Sequence, residues 1–243
     1  MLQTRNIPKK IIKTRTKTYP QKLIFTLYNN IKTAKIVFRS QKILIKQSQQ
    51  NYKLIKTAAL CGILASFIIL VFVLLATWLS PWFSWQKHAL SNLGVGEVST
   101  LFNGTVIVGG LLNFFFYFGF KEYATNNSKT SFGVGLLMLS SLCLALVGVF
   151  TIESSLMHAL VALGFFLFAP IGLLFIGFSD QDHKTKKTSL TMGSLALIVI
   201  LVLPLILDML SFEVGFAVPE IFHALILGTW TLSIAVKMIR FQN

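Results

Sequence analysis

The chain has 243 residues, 54% of them hydrophobic and only 12% charged, about half the charge of an average soluble domain. From Thr57 onward the charges fall in short gaps between apolar runs of about 20 residues, each long enough to cross ~30 Å of hydrocarbon at about 1.5 Å per residue. Six such runs exclude a soluble core and point to an all-α, six-span transmembrane helix bundle.

Residues 1–56 form a separate leader. It holds fourteen of the twenty-two Lys and Arg and no Asp or Glu. It has no apolar stretch with a small-residue cleavage site near Met1, so a secretory signal peptide is not expected, and its arginines are few for an organellar transit peptide. Leu23, Leu27, Ile31, Ala34 and Phe38 recur at helical spacing, widened by Ile24 and Tyr28. Lys22, Asn29, Lys32, Thr33 and Arg39 fall on the other side. This pattern predicts a basic amphipathic helix lying on an anionic leaflet, with Lys22, Lys32, Lys35 and Arg39 toward the lipid headgroups. Each basic residue near such a surface contributes about 1 kcal/mol. A loosely ordered tail that merely obeys topology rules is the simpler alternative. Charge without base-reading or stacking groups gives no case for nucleic acid.

The spans are expected at about Thr57–Trp78, Val98–Phe120, Phe132–Phe150, Met157–Phe178, Leu190–Met209 and Val218–Val236. With a cytoplasmic N-terminus, the inner side collects the leader, Lys121, Lys129, Lys184, Lys186, Lys187, Lys237 and Arg240. The outer side has Lys87 alone. The positive-inside rule then places both termini in the cytoplasm, at the cell membrane. Trp78, Trp82 and Trp85 suit the outer headgroup level. Pro81 ends the first helix for want of a donor, and Trp85–Leu93 is expected along the interface. Ala58, Gly62 and Ser66 form a small-residue face, and Gly104, Gly109 and Gly110 are expected to act likewise in the second span. Pro170 and Pro204 should kink the fourth and fifth spans. Cys61 and Cys143 lie within spans without ligand spacing and read as small packing residues.

The acids and histidines gather at one side. On this topology Glu97, Glu153, Asp208, Glu213, Glu220, His88, His158 and His223 all lie at outer helix ends or in outer loops. Glu220 and His223 are three apart on the sixth span, and Asn103 lies a turn into the second. Four roles fit such a cluster. The groups can cap helices and mark the water boundary, since a carboxylate near a helix start gains about 0.3–1 kcal/mol from the dipole. They can line an outward-facing polar pocket for a lipid or small molecule, built from Asn103, His158, Glu220 and His223 with His88, Glu97 and Asp208 nearby. They can hold a metal through His88, His158, His223 and Glu220, although no H-x-x-x-H spacing sets two histidines on one face. Or they can relay protons. No G-x-S-x-G elbow or G-x-G-x-x-G loop occurs, and no cofactor is expected. Glycosylation signals at Asn103 and Asn126 should be silent, one buried and the other cytoplasmic.

The junction from Ser84 to Gly110 concentrates the motif-like residues. Ser91, Asn92, Leu93 and Gly94 make an S-x-L-G turn, and Phe102 and Asn103 are followed directly by Gly104. Gly148 and Phe150 then precede a helix bearing His158. This pattern resembles the domain of unknown function 998 family of polytopic membrane proteins over about Thr57–Arg240: these residues mirror its S-x-L-G turn and later G-x-F segment, and approach its F-N-x-G helix start with the glycine one position early. The resemblance implies a membrane bundle and brings no assigned catalytic residues. The expected function is non-enzymatic ligand binding in the outer pocket. An intramembrane metal-dependent lipid hydrolase is the alternative, and a small transporter or channel subunit comes last, because the cytoplasmic half has little polar lining besides Asn113, Ser66 and Ser140.

Overall fold

The computed structural model describes residues 21–209 and 215–240. Among these residues the chain is all helix and loop, with no strand. The α-helices are α1 (Gln21–Trp78), α2 (Ser99–Tyr123), α3 (Ser128–Val149), α4 (Leu156–Gly177), α5 (His183–Leu197), α6 (Leu203–Met209) and α7 (Ala217–Arg240). α5 and α6 are joined by a π-turn at Ile198–Val202 and form one span, His183–Met209. Among the described residues six helices are thus long and apolar enough to cross a membrane.

Every expected span is present, but the helices outrun the apolar runs at one end of the bundle. α2 continues to Tyr123, α3 starts at Ser128, α5 starts at His183 and α7 continues to Arg240. Hydropathy stops at the first charge, whereas helical hydrogen bonding stops only where the backbone is capped. The caps here are polar side chains beyond the apolar run. Asn127 Oδ1 accepts from Thr130 N at 2.9 Å, and Asp182 Oδ1 accepts from Thr185 N at 3.1 Å.

The chain divides into two units, Met1–Gln49 and Gln50–Asn243. In the first, α1 begins at Gln21, and Lys32, Phe38 and Arg39 are exposed. The side chains of Lys22 and Lys35 lie outside the described residues, as does Glu213. In the second unit the spans pack as a ring in chain order. α2 contacts α3, α3 contacts α4, α4 contacts α5, and α5 contacts α7. Residues from Gln50 to Trp78 of α1 close the ring, meeting α2 where Gly62 faces Phe116 and α7 where Ser66 faces Gly228.

Glycines set how closely most of these helices approach. A methyl group on Gly110 would sit 2.7 Å from the Ala145 nitrogen and the Ser141 oxygen of α3. One on Gly133 would meet the Gly172 oxygen of α4 at 2.7 Å, and one on Gly177 would meet Leu190 of α5 at 2.5 Å. Gly109 likewise faces Ile69 of α1. The expectation fails for Gly104, where a methyl group would find nothing within 4 Å. Gly104 sits on a face of α2 that no neighbour approaches.

Two apolar clusters result. One, toward the lysine-bearing end, surrounds Trp230 with Phe116, Phe120, Ile234 and Met238. The other, at the opposite end, gathers Val73, Leu90, Leu93, Phe102, Val106 and Leu144. Pro204 follows the π-turn, in which Leu203 N reaches back five residues to the Ile198 oxygen. A proline cannot donate to the carbonyl four residues earlier, and the wider turn is one way a helix absorbs that defect. α4 passes through Pro170 without interruption.

Candidate functional site

Between the two clusters lies a cavity of about 180 Å³. Its wall comes from α1, α2, α3, α4 and α7, with Leu90 and Ser91 of a short 3₁₀ helix (Leu90–Gly94) at one end. The wall is chiefly apolar, with Val73, Phe102, Val106, Leu144, Phe165 and Ile221 among its residues. Polar side chains stand at two levels. His158 and Glu220 lie near the starts of α4 and α7. Asn113, Tyr117 and Thr231 lie deeper. Glu220 and Thr231 are eleven residues apart on α7, about 16 Å of helix.

The upper level is built by the connection between α1 and α2. The Glu220 carboxylate accepts from Leu90 N at 2.5 Å. Gly215 N donates to the Trp85 oxygen at 3.1 Å, and Ala217 N donates to the His88 oxygen at 3.0 Å. A methyl group on Gly215 would lie 2.5 Å from the His88 oxygen, so glycine is what lets the two backbones meet. The connection is therefore docked on the start of α7 and covers the cavity's end. It is also braced internally. Asn92 Oδ1 accepts from Ala89 N at 2.8 Å, and Asn103 Nδ2 donates to the Gly94 oxygen at 2.9 Å.

His158 Nδ1 lies 2.8 Å from the Phe150 oxygen. A carbonyl only accepts, so Nδ1 carries a proton, and in the neutral imidazole Nε2 is the nitrogen that accepts. Deeper, Asn113 Oδ1 is buried without a hydrogen-bond partner. The cavity thus offers three kinds of acceptor: a carboxylate, an imidazole nitrogen and an amide oxygen.

The sequence candidates separate. His158 and Glu220 share the cavity; Asn103 and His223 do not line it. His223 is fully buried with its ring against Phe165 and Phe166, at 5.5 and 5.2 Å between centroids, and Nδ1 is 3.4 Å from the Ala196 oxygen. Three residues along a helix leave side chains about 60° apart. That offset suffices to turn His223 toward α4 and α5 while Glu220 meets the cavity. Asn103 is a brace between α2 and the docked connection. His88 accepts from Ser84 N through Nδ1 at 3.0 Å and sits among Trp82 and Phe83. Glu97 and Asp208 are exposed. Among the described residues no three His, Cys, Asp or Glu side chains gather within reach of one metal ion. The proposed quartet of His88, His158, His223 and Glu220 is not brought together.

Two features escaped sequence reasoning. Asp182, at the opposite end, caps α5 and pairs with Lys237 at 3.1 Å. Its carboxyl is pushed up by burial, but hydrogen bonds from Thr185 and Lys237 outweigh this and hold it down at about 2. A D-x-x-T capping pattern was the available signal. The acceptor role of Asn113 had no local signal, since it depends on which helices face each other.

Residues 63–237 match the model of a family described as protein of unknown function (DUF998), and the chain belongs to that family. No characterised protein and no solved structure matches the chain. The structure gives the motif residues their places. Gly94 meets Asn103, Gly148 lets α3 approach the Asn103 backbone, and Phe150 holds the His158 ring.

Proposed function

We propose that this DUF998 chain is a multi-pass membrane protein that binds a single-chain amphiphile in its interhelical cavity. The ligand's head carries hydrogen-bond donors, an amine or a hydroxyl. The observation that carries this reading is the pairing of an apolar wall with groups that accept: Glu220, Nε2 of His158 and the partnerless Oδ1 of Asn113. A buried acceptor left unmade costs about 1–3 kcal/mol, so a donor arriving from a ligand is favoured. A carboxylate head has no donor to offer these acceptors, and no Lys or Arg lines the cavity.

The charge pattern supports a topology in which both termini are cytoplasmic. Lys and Arg divide twenty-one to one between the two sides, and the Glu220 end of the cavity then faces away from the cytoplasm. On that topology the leader contributes Lys22, Lys32, Lys35 and Arg39 to an anionic inner leaflet. Cysteine labelling of intact cells checks this: Lys87→Cys is labelled from outside and Arg240→Cys is not.

Binding is tested on purified protein in lipid nanodiscs with a long-chain amine, the monoacylglycerol and the fatty acid of matched chain length. The expected result is binding of the first two, weak binding of the acid, and loss of all three in Ala224→Phe, which fills the cavity. Equal affinity for the three heads, or binding unaffected by Ala224→Phe, overturns the proposal.

A further inference from the structure

We infer that the amphiphile reaches the cavity sideways from the bilayer, between α1 and α7 at the crossing of Ser66 and Gly228. This inference rests on the ligand-binding reading above and adds the route and its gate.

The ring is not closed equally tightly all round. At the α1–α2, α2–α3, α3–α4 and α4–α5 contacts, a methyl group placed on the interfacial glycine would collide with the neighbour at 2.5–2.7 Å, as at Gly62, Gly110, Gly133 and Gly177. The α5–α7 contact is fixed by Trp230 Nε1 donating to Ser189 Oγ at 2.9 Å and by the Asp182–Lys237 pair. The α1–α7 contact differs. A methyl group on Gly228 would find only Ser66 within 4 Å, at 3.8 Å, an ordinary van der Waals distance. Ser66 Oγ already donates to the Gly62 oxygen at 3.0 Å and reaches the Gly228 oxygen only at 3.5 Å. Among the described residues no shorter polar bond spans this seam.

The cavity reaches the same seam. Its wall includes Leu225, Thr229 and Leu232, which are also exposed on the outer face of α7. Those residues therefore border both the cavity and the surface that hydrocarbon covers in a membrane. The other approach, along the bundle axis past Leu90 and Ser91, is covered by the connection docked through Leu90, Gly215 and Ala217. A bilayer supplies single apolar chains at the depth of Gly228, so a lipid chain is the occupant that fits the slit. Small residues on both sides of it leave room for a chain to pass without unfolding a helix.

The geometry also supplies a lock. The Cβ position at Gly228 is 3.8 Å from Ser66 Cβ, close to the mean of about 3.8 Å for disulfides. In a background with Cys61 and Cys143 changed to Ala, Ser66→Cys with Gly228→Cys should oxidise to a bridge that pins the seam. Exchange of a long-chain amine against its perdeuterated form is followed by native mass spectrometry in the oxidised and reduced protein. The expected result is at least tenfold slower exchange when the bridge is closed, restored by reductant, with little change in occupancy at equilibrium. Gly228→Leu, which narrows the slit without chemistry, should slow exchange in the same direction. If exchange is unchanged by both while the amine still binds, the lateral route is wrong and the cavity stands. If no amine binds in any state, the ligand reading falls and the route with it.

Discussion

The Glu220 carboxylate of α7 accepts a hydrogen bond from the Leu90 backbone nitrogen, 130 residues earlier in the chain, at 2.5 Å. Leu90 is buried, so this one contact gives a polar group at the end of the cavity its partner and holds the connection in place.

Replacing Glu220 by Ala should therefore destabilise the fold by about 1–3 kcal/mol, the usual cost of a buried donor left without a partner. Glu220→Gln keeps an acceptor oxygen and should lose less. The midpoint of thermal unfolding in detergent, compared across the three proteins, checks this order. Equal losses in both variants would show that the hydrogen bond is not what matters at this position.

At the opposite end, the Asp182 carboxyl is held at about 2, below its ordinary value of 3.8. A carboxylate whose folded value is depressed stabilises the fold above its unfolded value. That contribution fades as pH falls from about 3.8 toward 2. The side chain is 58% exposed, so the effect is small and screened by salt. Asp182→Asn should lower stability at neutral pH and flatten the decline across that acid window. Unfolding midpoints measured from pH 5 to pH 2 at low salt read it out.

The two glycines of α2 that look alike in sequence should behave oppositely. Gly110→Ala drives a methyl into the α3 backbone and should cost about 1–3 kcal/mol through overpacking. Gly104→Ala meets nothing and should be neutral or raise stability by up to about 1 kcal/mol, because alanine is the better helix former. Paired thermal melts separate the cases.

His223 is the candidate whose replacement should matter least to function. Its ring packs on Phe165 and Phe166, and Nε2 is buried without a partner. His223→Phe preserves the ring contacts and removes the orphaned nitrogen, so stability should change by less than about 1.5 kcal/mol. Amphiphile binding should persist. Loss of binding in a stably folded His223→Phe protein would assign the imidazole a role this packing does not provide.

The spans were legible because each is a run of apolar side chains, and burial in hydrocarbon is written residue by residue. Their ends were not. Asn127 and Asp182 extend α3 and α5 past the apolar runs through caps that a hydropathy reading passes over. Glu220 and His158 were readable as polar groups near helix starts, and the structure sets both on the wall of one cavity. Glu220 and His223 differ by a 60° turn that decides between cavity and core, and spacing alone could not say which neighbour each would meet. Asn113 acquires its meaning only from the helices opposite it, information that no single stretch of sequence holds.

The π-turn before Pro204 has a consequence for how much length the fifth span can lose. It holds one residue more than a regular turn. Deleting a single residue between Ile198 and Val202 would tighten the coil but drive the proline ring against the carbonyl four positions back. It would leave Asp208 nearly where it stands about the axis, because the wide turn absorbs its extra residue without changing the phase of the helix beyond it. The extra residue thus spares the backbone a clash with the proline ring while the far end keeps its phase, so losing it would cost the span at Pro204 rather than at Asp208.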